Sequence, residues 1–357
     1  MHIDDYLRLM VDKGGSDLHL KAGGPAYVRI DGSLSEIHDL PMLRPEDTEA
    51  FALQIMSARD AEKLAQGVEA DFAYSIPQVG RFRVAVFTQR GSVGLVLRRV
   101  QSETPSFAEL GLPAAVRKLA EEHRGLVLVT GPTGSGTTTT TAAMIGHINA
   151  TRRCHIVTIE DPIEVLHPDE LAVVDQREVG LDTRDFSSAL RAVARQDPDV
   201  IFVGEMRDLE TVGAALPAAE TGHLVLSTLH TTDATETVNR VIDMFPPHQQ
   251  EQARISLANS LKGIVCQRLL PAAGGGRVAA IECLVMTARL HEFITDPSMS
   301  SMISDAVAEG TYYGMQTFDQ HLLELYRDGR ITLRDALDTA TSPHDFRIAV
   351  RAAGLHA

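Results

Sequence analysis

The chain has 357 residues and a formal net charge of −15 at pH 7, a length that suits one smaller and one larger domain. Its residues are 44% hydrophobic and 23% charged, as in ordinary globular proteins, and no apolar run approaches the roughly 20 residues of a membrane span. The negative charge disfavours binding to nucleic acid or to anionic membranes, so we expect no nucleic-acid partner.

The N-terminal segment predicts a compact α+β domain. Residues 3–11 have helical spacing, and Asp31-Gly32 is a dipeptide that favours a tight hairpin. Four runs have the character of strands: residues 16–20, 26–30, 81–87 and 94–100. The first domain, residues 1–100, is therefore expected to end with the last of these runs.

Two features of the sequence indicate the cellular compartment: the charged residues near the N-terminus, and the spacing of the cysteines. Asp4, Asp5 and Arg8 interrupt the first ten residues, which lack the basic start and apolar centre of a secretory signal. A cytoplasmic protein is expected. A disulfide framework or a zinc site needs cysteines at paired spacings. The three cysteines, Cys154, Cys266 and Cys283, have no such spacing, which predicts buried, reduced thiols.

A linker is predicted over residues 101–110, and a second domain over residues 111–357. From Gly125 onward, buried apolar runs alternate with helical stretches, at residues 126–129, 156–159, 200–203 and 224–227. Strands that are apolar on both faces belong in a parallel sheet covered by helices. After Pro271, residues 272–276 read as a flexible loop. Mixed helical segments are predicted beyond it, with a helical C-terminal part from about residue 285.

The segment Gly131-Pro-Thr-Gly-Ser-Gly136-Thr137-Thr138 lies between an apolar run and the helical stretch 142–148, which is the context of a phosphate-binding loop. Its glycines allow backbone N–H groups to turn toward phosphate oxygens, and the helix presents its positive end. Thr138 stands where a hydroxyl would bind Mg²⁺. The candidate nucleotide-binding residues are Gly131, Pro132, Thr133, Gly134, Ser135, Gly136, Thr137, Thr138 and Thr139.

Threonine occupies position 137, where the phosphate-loop pattern has lysine. Its side chain is uncharged and too short to replace an ammonium at the β- and γ-phosphates. Losing one preorganised transition-state donor typically lowers the rate by about 10²–10³-fold. ATP binding is therefore expected to survive and hydrolysis to be impaired. Considered alone, this segment is also compatible with an ordinary turn between a strand and a helix.

Glu164, Glu205 and His230 follow the apolar runs, where an open α/β sheet binds its ligands, and His223 precedes one of these runs. Glu205 is the expected general base and, with Thr138, a ligand of Mg²⁺. Glu164 is expected to help polarise water, His230 to sense or orient the γ-phosphate, and His223 to be structural. Each of these residues has an ordinary structural interpretation when taken singly. The functional interpretation rests on their shared order and spacing.

These motifs occur in the order found in the secretion/pilus ATPase family, which the sequence resembles over nearly its whole length. Within that family the pilus-retraction ATPases fit best, because four further segments look like theirs: Gly15-Ser-Asp-Leu-His-Leu20, Gly80-Arg-Phe-Arg83, Arg195-Gln-Asp-Pro-Asp199 and Gly314-Met-Gln-Thr-Phe-Asp319. The related assembly ATPases usually carry an extra N-terminal domain and a four-cysteine metal site, neither of which matches this sequence.

The resemblance implies an α/β fold made of an N-terminal PAS-like α+β domain and a RecA-like P-loop ATPase domain with a helical C-terminal part. It implies a homohexamer that uses ATP and Mg²⁺ at the cytoplasmic face of an inner-membrane pilus machine. The implied partners are the inner-membrane platform protein and a paralogous pilus motor. Arg81, Arg83 and Arg98 would also contact phosphates, across a subunit boundary. For the first two, the exposed face of an alternating strand is the structural alternative.

Several interpretations of Thr137 stay open. In the first, the chain is a retraction subunit that hydrolyses ATP slowly. In the second, it is a catalytically silent ring component or regulatory paralogue that acts with an active motor. A third is an intact motor altered at one position, and a fourth is rescue by another cation, from Arg152, Arg153 or a neighbouring subunit. Residues 287–294 match the family's retraction helix poorly, and the spacing of Leu290, Phe293 and Ile294 predicts a helix that packs on the core.

Overall fold

The computed structural model describes residues 2–30, 32–38 and 40–355. The chain divides into two units, Met1–Ser102 and Glu103–Ala357. This division falls inside the segment that the sequence predicts as a linker, and residues 107–110 of that segment form a short helix whose N-terminus is capped by Ser106. Within the described ranges, no helix is both long and apolar enough to cross a bilayer.

The first unit contains an antiparallel sheet with the helices α1 (Ile3–Asp12), α2 (Pro45–Ile55) and α3 (Ala58–Ala65). Its strands are β1 (Asp17–Lys21), β2 (Tyr27–Ile30), β3 (Ser33–Glu36), β4 (Ala70–Ile76), β5 (Gly80–Gln89) and β6 (Ser92–Arg99). Across the sheet the strands lie in the order β3-β2-β1-β6-β5-β4. This arrangement confirms the predicted α+β character of the N-terminal part.

Hydrophobic spacing explains the elements of this unit. Helix α1 buries Ile3, Leu7 and Met10 on one face, as expected for residues three or four apart on a helix. Strand β5 buries Phe82, Val84 and Val86 in alternation with more exposed residues, as a strand with one face on a core requires. Asp31, in the predicted hairpin turn, lies outside the described residues, but β2 and β3 on either side of it pair antiparallel.

The second unit contains a larger sheet with helices on both faces. Its strands are β7 (Gly125–Thr130), β8 (His155–Glu160), β9 (Val173–Glu178), β10 (Val200–Val203), β11 (Leu224–Leu229), β12 (Leu261–Pro271) and β13 (Arg277–Val285). Its helices are α4 (Phe107–Leu110), α5 (Ala114–Ala120), α6 (Thr137–Thr151), α7 (Phe186–Val193), α8 (Leu209–Glu220), α9 (Ala234–Asp243), α10 (Gln250–Ser260), α11 (Ala288–Thr295), α12 (Ile303–Glu309), α13 (Phe318–Arg327), α14 (Leu333–Thr339) and α15 (Pro343–Ala352).

The strands of the large sheet lie in the order β13-β12-β7-β11-β10-β8-β9. All neighbouring pairs from β12 to β9 are parallel, which confirms the predicted parallel sheet. Strand β7 shows why its sequence is continuously apolar: Leu126 and Leu128 pack in one core cluster, whereas Val127 and Val129 pack in the other. Both faces of the strand are covered, so neither face selects polar residues.

The prediction of mixed helical segments directly after residue 276 was wrong for residues 277–285. These residues form β13, which pairs antiparallel with β12 across the turn at residues 272–276. A short apolar run that is buried on both faces has no helical or strand periodicity to read. Pairing with β12 therefore decides its conformation. The helical C-terminal part begins with α11, close to the predicted residue 285.

Helix α11 packs on the core, as the spacing of its apolar residues predicted. Leu290, Phe293 and Ile294 are buried in the large core cluster of the second unit, and the Thr287 hydroxyl caps the helix by accepting a hydrogen bond from the Leu290 N–H at 3.3 Å. The prediction of buried thiols is confirmed for Cys266 and Cys283 and was wrong for Cys154, which is partly exposed.

Glu282 makes stability depend on pH in a way that can be tested. It lies on β13, nearly buried, and accepts a hydrogen bond from the Ala234 N–H at 2.8 Å. Burial raises the pKa of Glu282 to about 7, against about 4.3 in an unfolded chain. The stability that the protonated carboxyl contributes is therefore fully present below the unfolded pKa and is lost as the pH rises through about 7.

We expect the free energy of unfolding to fall by about 3 kcal/mol more in the native protein than in Glu282→Gln between pH 4.5 and 8. Denaturant unfolding of both proteins across this range measures the difference. Parallel pH profiles would show that this carboxyl does not titrate differently in the folded protein.

Candidate nucleotide-binding site

The loop between β7 and α6 is shaped by glycine. Gly134 and Gly136 have positive φ angles of 83° and 88°, in the left-handed region that side chains disfavour. A Cβ atom at Gly131 would clash with the Ser135 side chain and lie 2.5 Å from the Gln267 carbonyl oxygen. Helix α6 begins at Thr137, so the loop ends at the positive end of a helix dipole. This geometry suits an anion such as phosphate.

Gln267 of β12 braces the phosphate loop through two side-chain hydrogen bonds. Its Nε2 donates to the Ser135 carbonyl oxygen at 2.7 Å, and its Oε1 accepts from the Thr140 hydroxyl at 2.7 Å. The side chain is almost completely buried. One amide therefore ties the phosphate loop and the first turn of α6 to the central sheet.

We expect Gln267→Leu to lower the free energy of unfolding by about 2–3 kcal/mol, because two buried polar groups lose their partner, and to weaken nucleotide binding. Gln316→Leu is the matched control, since Gln316 donates to the Ile281 carbonyl oxygen at 3.0 Å and does not line the cleft described below. Thermal unfolding and nucleotide titration of both variants test this. Equal loss of nucleotide affinity in the two variants would contradict the bracing role.

A cleft of about 510 Å³ opens above the loop and along the carboxyl ends of the parallel strands. It is lined by Thr133, Gly134, Gly136, Thr137, Thr138, Thr139, Thr141, Glu160, Asp161, Pro162, Glu164, Phe186, Phe202, Gly204, Glu205, Arg207, Thr228, His230, Leu269 and Arg277. The loop, both predicted acids and the predicted histidine thus meet at one surface. Three predicted loop residues do not line the cleft: Gly131, Pro132 and Ser135. Of these, Ser135 has a buried side chain.

Glu205 lies at the centre of a small polar cluster after β10. Its Oε2 pairs with Arg207 Nη2 at 2.7 Å, and its Oε1 lies 3.4 Å from His230 Nε2. The other ring nitrogen of His230, Nδ1, lies 3.3 Å from the Gly131 carbonyl oxygen. The Thr228 hydroxyl donates to the Gly204 carbonyl oxygen at 2.6 Å and fixes the turn before the acid. Glu205 is only 17% exposed, so its carboxylate is held in place.

Two of the other acids that line the cleft, Glu160 and Glu164, differ in their surroundings. Glu160 is buried and accepts hydrogen bonds from the Thr158 hydroxyl at 2.6 Å and from Gln176 Nε2 at 3.0 Å. Burial raises its pKa despite these hydrogen bonds. Glu164 is exposed at the cleft. Glu164 is therefore the acid of this pair that is accessible to water and ligand.

Thr137 is half-buried in the cleft as the first residue of α6. Rescue by Arg152 or Arg153 of the same chain is contradicted by the length of this helix. At 1.5 Å per residue, position 152 lies about 22 Å from position 137. Arg152 donates instead to the Glu122 carbonyl oxygen at 2.9 Å.

Arg81, Arg83 and Arg98 belong to the first unit. Arg83 and Arg98 are directly opposite each other on β5 and β6, and Arg81 lies two residues before Arg83 on the same face. Arg98 Nε donates to Asp17 Oδ1 at 2.7 Å, and the Arg81 guanidinium donates to the Ser75 hydroxyl at 3.5 Å. These residues form a basic face on the N-terminal sheet. Their predicted role toward phosphates stays a prediction.

The sequence interpretation missed Gln267, Arg277 and the pairing of Arg207 with Glu205. Gln267 had a signal, since it is a polar residue inside the apolar run of β12. Arg277 had none, because the strand it begins was not recognised. His223 was predicted to be structural, and its Nδ1 lies 2.9 Å from the Ala218 carbonyl oxygen.

The donors at the cleft fit a magnesium ion only together with a nucleotide. Thr138 and Glu205 both line the cleft, and hydroxyl and carboxylate oxygens are the ligands that Mg²⁺ prefers. Within the described part of the chain, no group of three or more His, Cys, Asp or Glu side chains is placed to hold a metal. A magnesium ion would therefore need phosphate oxygens as further ligands, which is usual where it binds with a nucleotide.

Comparison with known proteins finds relatives that point to one family. The family model described as "Type II/IV secretion system protein" matches residues 1–328. The type IV pilus retractation ATPase PilT of Pseudomonas aeruginosa is 44% identical, with 97% of this chain and 100% of the relative covered. The type IV pilus ATPase PilU of the same species is 43% identical, with 98% and 92% covered.

A solved structure supports the same assignment. The crystal structure of the pilus retraction motor PilT with bound ADP has a TM-score of 0.87 and 48% sequence identity, covering 97% of this chain and 98% of that one. At this coverage the match spans both units of the chain. This chain belongs to the type II/IV secretion system family of ATPases.

Proposed function

We propose that this chain is an ATPase subunit of a type IV pilus retraction motor, and that Thr137 slows its hydrolysis of Mg·ATP. The observation that carries the proposal is the cleft in which a glycine-rich loop at a helix N-terminus faces Glu205 and His230. The full-length similarity to a pilus retraction ATPase supports the cellular role.

In this proposal Glu205 is the general base. It takes a proton from the attacking water, whose oxygen forms a bond to the γ-phosphorus while the bond to the β-phosphate bridging oxygen breaks. Glu164 helps to polarise the water, and His230 orients the γ-phosphate. The backbone N–H groups of the loop hold the phosphates. Thr138 and Glu205 would hold Mg²⁺, which would neutralise charge on the phosphates.

The proposed assembly is a homohexamer on the cytoplasmic face of an inner-membrane pilus machine. The basic face of Arg81, Arg83 and Arg98 would complete the phosphate site of a neighbouring subunit. The rotation of domains would then act on the inner-membrane platform protein. Light scattering tests the ring: a mass six times that of one chain supports it, and a monomer with nucleotide present contradicts it.

Twitching motility tests the pilus role directly. Deleting the gene from its host should abolish or reduce pilus retraction, and the intact gene should restore it. Unchanged motility and unchanged pilus numbers after deletion would contradict the proposal.

A regulatory or catalytically silent ring subunit is the second candidate. It is favoured by Thr137, whose uncharged side chain stands where the phosphate-loop pattern has lysine. Such a subunit would pair with a lysine-bearing motor and would show no turnover even as Thr137→Lys. The retained Glu164, Glu205 and His230 weigh against it.

A further inference from the structure

Arg277 brings a positive charge to the cleft from a strand that lies beside the phosphate loop. It is the first residue of β13 and lines the cleft. Side chains two apart on a strand share a face, and Ala279 and Ile281 pack in the same core cluster as Met144 and Ile145 of α6. Arg277 therefore lies on the face of the sheet that carries the phosphate-loop helix.

The guanidinium of Arg277 is available to a ligand. Among the residues that the structure describes, it forms no hydrogen bond or ion pair. Arg207, the other arginine that lines the cleft, is paired with Glu205 at 2.7 Å. Arg268, nearby on β12, donates to the Thr339 carbonyl oxygen at 2.8 Å and lies 3.9 Å from the Phe318 ring centroid.

The order of the strands places Arg277 and Glu205 on opposite sides of the phosphate loop. The loop follows β7, with β12 and β13 on one side of that strand and β11, β10 and β8 on the other. Leu269 of β12 lies 3.3 Å from the position that a Cβ atom of Gly136 would take. Glu205 follows β10, on the opposite side of the loop. Arg277 thus lies on the side of the phosphate loop away from Glu205, so a γ-phosphate held near Glu205 would leave the α- and β-phosphates for Arg277.

We propose that Arg277 binds the α- and β-phosphates of the nucleotide and supplies binding charge that Thr137 does not. This inference rests on the nucleotide use proposed above. Because these phosphates are common to ATP and ADP, Arg277 acts on the affinity for both nucleotides and has little effect on the chemical step. One charge-assisted hydrogen bond changes affinity by roughly 10–100-fold.

Nucleotide titration of Arg277→Gln tests the proposal. The affinities for ADP and for a non-hydrolysable ATP analogue should each fall by roughly 10–100-fold, with a smaller fall in the Thr137→Lys background, where a second cation is present. Arg277→Lys should retain part of the affinity. Arg334→Gln is the matched control, because it removes the same charge from a side chain of α14 that is 90% exposed and outside the cleft.

The outcomes separate this inference from the proposed function. Unchanged affinity in Arg277→Gln, with an unchanged unfolding temperature, would overturn the inference and leave the ATPase assignment standing. A loss confined to the ATP analogue would also overturn it, since it would place Arg277 at the γ-phosphate. Failure of the intact protein to bind either nucleotide would overturn both.

Discussion

Replacing Thr137 with lysine is expected to raise steady-state Mg·ATP turnover by about 10²–10³-fold, the typical worth of one preorganised transition-state donor. Thr137 begins α6 and lines the cleft, so a longer side chain at this position extends toward the phosphates and not into the core. An ammonium there neutralises charge that develops on the γ-phosphate, which a threonine hydroxyl cannot do.

Thr137→Met is the control for this comparison. Methionine lengthens the side chain without adding charge, so it should leave turnover as low as in the native protein. Equal turnover in the native and lysine forms would show that Thr137 does not limit hydrolysis. Equal gains from lysine and methionine would assign the effect to packing at the loop.

Replacing Glu205 with glutamine in the Thr137→Lys background is expected to lower turnover by about 10²–10⁴-fold, the usual contribution of a general base. The same change should leave nucleotide binding largely intact, because the loop amides and not this carboxylate hold most of the phosphate chain. Using the lysine background gives a rate high enough for the loss to be measured.

Glu210→Gln is the control for that variant, since Glu210 is exposed in the first turn of α8 and does not line the cleft. Retained turnover in Glu205→Gln would remove this residue from the proposed chemistry. Arg207 and His230, both within 3.4 Å of the carboxylate, would then be the groups to examine next.

The sequence predicted the parts of this fold whose physics is local. The loop from Gly131 to Thr138 was predictable because glycine and helix-start signals stand side by side in the chain. The central parallel strands were predictable because strands covered on both faces are continuously apolar. Helix α1 was predictable because its apolar spacing is that of one buried face.

The remaining features depend on contacts between distant parts of the chain. Strand β13 is set by its pairing with β12, and Gln267 reaches the phosphate loop across 132 positions of sequence. The ion pair of Glu205 with Arg207 depends on how the turn after β10 directs two nearby side chains. A single sequence carries no local signal for such arrangements, so the order of the motifs was predictable and the bracing of the site was not.

The central claim is that this protein holds Mg·ATP but converts it slowly, and a single-turnover experiment tests it most directly. Radiolabelled Mg·ATP is mixed with excess protein, and bound nucleotide and released phosphate are followed in the same sample. We predict that ATP binds rapidly and remains largely unhydrolysed long after the Thr137→Lys form has converted its bound ATP to ADP. Conversion of bound ATP at the same rate in both forms, or failure of the native protein to bind ATP, would contradict the account.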